Sequence, residues 1–523
     1  MKKNIVDTKF SLLFALCKLI SIFYIIPLFL ILGSTGNLMY AYAYSFISIF
    51  ISFSSTGLTD AVSKMLNKYN NENNIINGTK IFMFSINIIL FLILFLSSNA
   101  LANFIIGSHP STILVSELDF IFKAVSFYIL FTTPVNIYKG YLDNKRLDQS
   151  LSISETIEGF IKAILIIFST LIGLKLFKLE YKYLIVLILV SSFIASLISS
   201  IYLRAVIDKN EKKKIIKHKK LKLERGIIFL VLSYSIPFIL LDLFQSIILS
   251  YDSLYLVRLL ITKFNYSVVD AENVLSYLVL YARYINDLIL VFITGIIIYF
   301  LGRMKKKDLS SRINKSFQIV LIIGLPIIVL LSILSSNLWN IFYGVTDFGG
   351  VLYTYYIFIV FFYLLFLICI KNLLELKEYK FTYIMMFIGL FINIILKLPL
   401  LDGFNKMGIP PFYGSITSII LGCFIPTIIS LIYLHIKYKV NYEDSIKLII
   451  DVLISVLVMG VILILIKVIL PSFDSRILNL IVCLINIFIG AIIYLFIINK
   501  NGILNKLDFG GNNDIYRINR KRI

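Results

Sequence analysis

Charge is scarce in this sequence: Asp, Glu, Lys and Arg together make up 15% of its 523 residues. Reactive side chains are scarcer still. The three histidines (His109, His218, His435) are scattered, which argues against a histidine-based metal site. All four cysteines (Cys17, Cys369, Cys423, Cys483) fall inside apolar runs, with neither CxxC nor zinc-type spacing. They read as small packing residues with no disulfide or metal role. GxSxG, a Walker loop, HExxH and paired carboxylates in a shared soluble loop are all missing, so an enzyme is not expected. Without a nucleotide site, transport would draw on an ion gradient, the membrane potential or substrate supply. No cofactor is called for, and sodium or proton coupling stays open. No cleavable signal peptide is expected either, because the first apolar run begins near Phe10 and is about 23 residues long, beyond a usual signal core.

What the sequence has instead is apolar length. Hydrophobic residues make up 59% and the mean hydropathy is +0.93, values foreign to a soluble domain. The expected fold class is an all-α polytopic membrane protein. Spans are predicted at roughly 10–32, 38–58, 80–106, 118–137, 151–173, 183–204, 227–250, 273–301, 316–335, 351–370, 381–401, 411–436, 446–469 and 476–498, fourteen transmembrane helices in all. With the N-terminus in the cytoplasm, 37 of the 50 Lys and Arg fall on the cytoplasmic side and 7 outside, the rest lying within spans. Positive charge retains loops inside, so both termini are predicted to be cytoplasmic. Only Leu174–Lys182 opposes the pattern. The net charge of +21 would suggest nucleic acid in a soluble protein. Here the topology accounts for it, and no nucleic-acid partner is expected.

The run Asp208–Arg225 carries nine of the cytoplasmic basic residues and reads as a solvated linker on anionic lipid. The predicted organisation is an N-terminal lobe at 1–207, the basic linker at 208–226 and a C-terminal lobe at 227–440. Two further spans follow at 441–500, then a basic tail at 501–523. Six spans on either side of one basic loop look like the internal repeat of many transporters.

The informative residues are ionisable groups inside spans. Glu272 to Leu301 is long enough to cross a bilayer yet carries Arg283 and Asp287, with Arg283 roughly 15 Å into the segment. An arginine at that depth costs on the order of 2.5–3.5 kcal/mol to insert. Four apart on one helical face, the two could simply neutralise each other. Lys18 and Lys162 lie at comparable depth in the first and fifth spans, Asp242 is mid-depth in the seventh with Asp252 near its outer end, and Lys397 lies near the outer end of the eleventh. Lys123 and Lys467 are close enough to the outer interface to snorkel, and Lys397 could do the same. Lys18, Lys162 and Arg283 come from both halves, and together they would suit an anionic ligand such as a pyrophosphate, which arginine engages bidentately. Pro27, Pro134, Pro237, Pro326, Pro399 and Pro426, with Gly57, Gly295 and Gly324, mark helices expected to bend.

These residues carry a family resemblance. From Lys18 to Asn70 the chain shows a Y-x-I-P-L run, an L-G-x-x-G turn, Y-x-Y-A-Y and S-x-x-G-L-x-x-A-V-S-K. Later come S-I-P-F, S-Y-D-S-L-Y-L-V, D-A and Y-x-R in the seventh and eighth spans, then L-P-I-I-V-L-L-S-I-L and N-I-F-Y-G. In this order they resemble the oligosaccharidyl-lipid flippases of the MOP superfamily, most closely the MurJ-type lipid II flippases of Gram-positive bacteria. Fourteen spans favour that branch over twelve-span drug exporters.

The resemblance implies two six-helix lobes in a V, with the last two helices forming a groove for a lipid tail. It implies a monomer in the bacterial cell membrane that turns lipid II, an undecaprenyl pyrophosphate carrying a disaccharide-pentapeptide, from inner to outer leaflet. Arg283 falls on the family's headgroup arginine, with Asp287 to orient it and Lys18 and Lys162 to add charge. Asp252 falls near an acidic position of a sodium site, and Asn393 and Lys397 resemble its i, i+4 pair. The chain also departs from the pattern. Ile25, Met39–Tyr40 and Ser52–Phe53 stand where Gram-negative members carry two arginines and an aspartate. Lys397 stands where sodium-site members carry an acid, so its ammonium could replace the ion by pairing with Asp252. The alternatives are a flippase for another lipid-linked glycan, a cation-coupled drug exporter and a membrane glycosyltransferase. The exporter should line its cavity with acids, and the glycosyltransferase should show an acidic motif in an outer loop, which these short loops lack.

Overall fold

A computed structural model describes residues 24–54, 56–68, 72–131, 134–145, 147–210, 225–303, 309–344, 347–470 and 472–502. Every regular element among them is helical, and twelve helices are long and apolar enough to cross a membrane. Fourteen were expected. The first expected span lies mostly outside the described residues, as does Lys18. The fourth is divided into Val115–Phe131 and Pro134–Asn144. Pro134 opens the second piece, where its fixed φ suits a helix start and its missing N–H is not needed.

The chain forms two compact units, Met1–Leu280 and Tyr281–Ile523. The first holds α1 (Ile25–Ser54), α2 (Thr56–Lys68), α3 (Glu72–Ile106), α4 (Val115–Phe131), α5 (Pro134–Asn144), α6 (Asp148–Lys175), α7 (Tyr181–Asn210) and α8 (Arg225–Ser250). A 3-10 turn (Tyr251–Leu254), α9 (Leu256–Thr262) and α10 (Val268–Ser276) complete it. The seventh span therefore packs with the first six, on α1, α2 and α3, and the boundary between units falls later than the basic linker. Small polar residues make that packing close: Ser48 and Ser52 of α1 meet Ser250 and Ser246 of α8 at 3.1 and 2.7 Å. Within α1 the helix breaks at Gly33, whose φ of +61° is open to glycine at no steric cost. Asn37 bridges the break by donating to the Phe29 carbonyl at 3.0 Å.

The second unit holds α11 (Arg283–Arg303), α12 (Leu309–Ile319), α13 (Leu325–Ile333), α14 (Ser335–Tyr343), α15 (Asp347–Tyr356), α16 (Phe358–Glu375), α17 (Tyr379–Lys406), α18 (Phe412–Tyr438), α19 (Glu443–Ile469) and α20 (Arg476–Lys500). Helices α17 and α18 form a close hairpin: a Cβ on Gly414 would lie 2.5 Å from the backbone of Leu400 and Leu401. At one end of the hairpin Glu378 accepts from Lys437, Tyr438 and Tyr433, and these donors hold its carboxyl down at about 2. The last two helices, α19 and α20, pack on each other and on α13; α20 also packs on α14. Their outer faces, including Leu457, Leu465, Phe488 and Phe496, are exposed, as lipid-facing surfaces are.

Candidate functional site

The eighth span is not a continuous α-helix. Between α10 and α11 the chain makes a π-helical turn, Tyr277–Ala282, and Arg283 is the first residue after it. A π turn adds a residue to the helical circuit and rotates everything that follows, a device common at functional sites. The Tyr281 carbonyl within it accepts from the Tyr343 hydroxyl at 2.9 Å. Arg283 is only 4% exposed. Its Nε lies 4.0 Å from Oδ2 of Asp287, at the outer limit of an ion pair, and the Asp287 side chain is 35% exposed. The two expected partners are thus brought together, but loosely. The Arg283 side chain is buried while that of Asp287 stays partly accessible.

Asn286, buried beside Arg283 in the sequence, was not anticipated. It donates to the Tyr356 carbonyl at 3.2 Å and accepts from the Tyr353 hydroxyl at 3.0 Å, which locks α11 to α15. Around that contact Tyr281 stacks on Trp339 with centroids 6.0 Å apart, and Tyr343 meets both rings edge-on. An asparagine between two charged residues in the eighth span was the available signal.

The other expected residues sit as follows. Lys162 is half-buried on α6, one turn after Glu158, which pairs with Lys139 at 3.3 Å. Asp252 is 2% exposed in the 3-10 turn between α8 and α9. Asn393 and Lys397 share the buried stripe of α17, each 1% exposed, and Asn393 accepts from Ser418 at 2.8 Å. The snorkelling considered for Lys397 is therefore wrong: its ammonium is enclosed by protein. Nor does Lys467 simply snorkel. It donates to the Ile333 carbonyl at 2.7 Å and so caps the C-terminal end of α13. Lys123 pairs with Asp119 at 2.8 Å.

One buried carboxylate escaped the sequence reading. Glu272, 5% exposed on α10, accepts from Ser111 Oγ at 2.7 Å, from the Thr112 amide at 2.9 Å and from Thr112 Oγ1 at 2.5 Å. It ties α10 to the connection between α3 and α4. Its place at the very start of an apolar span made it look like a boundary residue. Among the described residues, no group of three His, Cys, Asp or Glu is placed to hold a metal ion.

Apolar spanning helices, two of them interrupted by π turns and one carrying a buried arginine, define a polytopic membrane protein. The family model described as polysaccharide biosynthesis protein matches residues 9–270, and the chain belongs to that family. It is 21% identical to the lipid II flippase MurJ of Bacillus subtilis (strain 168), over 94% of each chain. Among solved structures, a lipid II flippase MurJ in an inward closed conformation superposes with a TM-score of 0.63 at 18% identity, over 94% of this chain and all of that one. An inward-facing multidrug resistance transporter of the MATE family superposes with a TM-score of 0.57 at 12% identity, over 81% of this chain and 94% of that one.

Proposed function

We propose that this protein is a flippase for an undecaprenyl-pyrophosphate-linked glycan, lipid II in the first instance, moving it from the inner to the outer leaflet by alternating access. The observation that carries the reading is Arg283, buried at 4% exposure in an apolar span and braced by a π turn. A cation held at such a cost, on the order of 2.5–3.5 kcal/mol, needs a function that repays it. A pyrophosphate gives it a bidentate partner. In this reading Lys18 and Lys162 add positive charge, and Asp287 steers the guanidinium. Likeness to a lipid II flippase over nearly the whole chain supports the same conclusion.

Replacing Arg283 by Ala should abolish complementation of a flippase-depleted strain while the protein still reaches the membrane. Full growth with that variant removes Arg283 from the mechanism. A second reading, transport of another lipid-linked polymer, is favoured by the polysaccharide description of the matching family. Reconstituted vesicles offered lipid II and an undecaprenyl-linked capsule-type sugar would separate the two.

For coupling, we propose that the enclosed ammonium of Lys397 supplies the charge a bound cation would otherwise supply. Translocation should then run equally well in sodium and choline buffers. A rate that collapses in choline overturns the idea.

A further inference from the structure

Both ring nitrogens of His109 face carbonyl oxygens. Helix α3 ends at Ile106, and the last carbonyls of a helix have no helical donor. The chain turns at Gly107, where a Cβ would lie 2.6 Å from the Asn103 carbonyl oxygen. His109 then folds back, with Nε2 3.0 Å from the Ile105 carbonyl oxygen and Nδ1 2.8 Å from that of Pro110. A carbonyl oxygen accepts and never donates, so both nitrogens must carry a proton for both bonds to form. Only the imidazolium has two N–H donors; a neutral ring turns one lone pair toward an oxygen. A cation is also favoured where α3 ends, at the negative pole of its dipole.

The two residues after Pro110 are those that hold Glu272. Ser111 Oγ, the Thr112 amide and Thr112 Oγ1 donate to its carboxylate, and Ser111 Oγ accepts from the Ile113 amide at 3.2 Å. The Pro110 carbonyl shares a peptide plane with the Ser111 amide, so the ring that holds it also orients the residue reaching Glu272. We infer that His109 is a proton-dependent switch on this clasp. As the imidazolium it aims Ser111 and Thr112 at Glu272, fastening α10 to the connection between α3 and α4; as the neutral ring it loosens them. Other charged groups on the packed elements are not partners of the ring. Glu117 of α4 accepts from the Leu114 amide at 3.0 Å, and Asp119 pairs with Lys123. Asp270 of α10 accepts from Ser267 at 2.6 Å. Asp242 and Asp252 belong to α8 and the 3-10 turn, which pack on α3, and α1 carries no charged side chain. Among the described residues the two carbonyls are the ring's partners, so its charge acts on them.

Histidine changes charge between about pH 5 and 8. The clasp is therefore firm at the acid end of that range and loses the contribution of the imidazolium as pH rises. The basic-residue count predicts that this connection lies outside, so the pH in question is that of the outer face. Helix α10 opens the span that continues to Arg283, and the clasp governs how firmly the outer end of that span is held. The inference stands without the flippase reading.

Hydrogen–deuterium exchange on the full-length protein in nanodiscs tests it. Protection of the Thr112 and Ile113 amides is read between about pH 5 and 8 and corrected for the intrinsic rate. In wild type, protection should fall by roughly tenfold from the acid to the alkaline end, about the worth of one hydrogen bond. His109→Gln, which carries no charge, should show low protection with no slope. His109→Arg is charged throughout and should keep protection at the alkaline end. Matching pH profiles for wild type and His109→Gln overturn the switch. Should His109→Gln not fold, wild type against His109→Arg decides, and a wild-type profile as flat as that of His109→Arg overturns it equally.

Discussion

Glu272 shows how much one residue can do at the edge of a span. Both carboxylate oxygens are occupied, and three donors from Ser111 and Thr112 converge on them. Hydrogen bonds to a charged acceptor contribute about 1.5–3 kcal/mol each, and a buried mismatch costs as much. Glu272→Gln turns one acceptor into an amide donor facing other donors. It should lower the unfolding midpoint in detergent, with a loss of about 1.5–3 kcal/mol. Thr112→Val, which keeps the amide contact, should lose less. A Glu272→Gln protein as stable as wild type would show that the connection between α3 and α4 is held some other way. Arg283 and Lys397 teach a related lesson. Their depth along the helix was legible from the sequence, because apolar runs fix where a span begins and ends. Their partners were not. In a membrane helix the lipid-facing and protein-facing sides are both apolar, so sequence periodicity does not say which way a lone charge points. Hence Lys397 could be read as snorkelling when it is enclosed, and Asn286 passed unnoticed between two charges.

At the scale of elements, the second π turn explains how the final helix pair attaches. The segment Val320–Gly324 is π-helical and Pro326 follows it. Proline has no N–H, so the carbonyl four residues earlier, that of Ile322, loses its regular helical donor. Tyr494 of α20 provides one, donating to that carbonyl at 2.7 Å from a buried position. The buried stripe of α20 (Asn479, Cys483, Asn486, Gly490, Tyr494, Ile498) continues the attachment, and Asn337 of α14 donates to Asn479 at 3.0 Å. Pro326 was visible in the sequence as a probable bend, and the last two spans were visible as apolar runs. That one helix supplies the donor missing from another was not, because the pair is separated by 172 residues and depends on the π register. Tyr494→Phe should cost about 1–3 kcal/mol by leaving a buried carbonyl unsatisfied. In a Pro326→Ala background, where the backbone regains an N–H, the same change should cost clearly less, giving a coupling of about 0.5–3 kcal/mol. Strict additivity of the two substitutions would break the link between proline and tyrosine.

For the whole molecule, the open quantity is orientation, and the charge distribution predicts it. The loops assigned to the cytoplasm carry 37 of the 50 basic residues. Basic residues near short loops hold those loops on the inner side during insertion, so the assignment follows from the count without any one lysine being decisive. It places the turn after α17, at Met407–Gly408, outside and the turn before α17, at Lys377, inside. Both turns are accessible: Met407 is exposed, and Gly408 and Lys377 adopt φ values of +73° and +62° at the ends of their helices. The native cysteines help the experiment, because Cys369, Cys423 and Cys483 are buried and should not react with a membrane-impermeant maleimide. With Cys17 replaced by Ser, Met407→Cys should label in intact cells and Lys377→Cys only after the membrane is opened. The reverse labelling would invert the protein in the membrane. A lipid carried toward the outer leaflet would then have to be rethought as one carried inward.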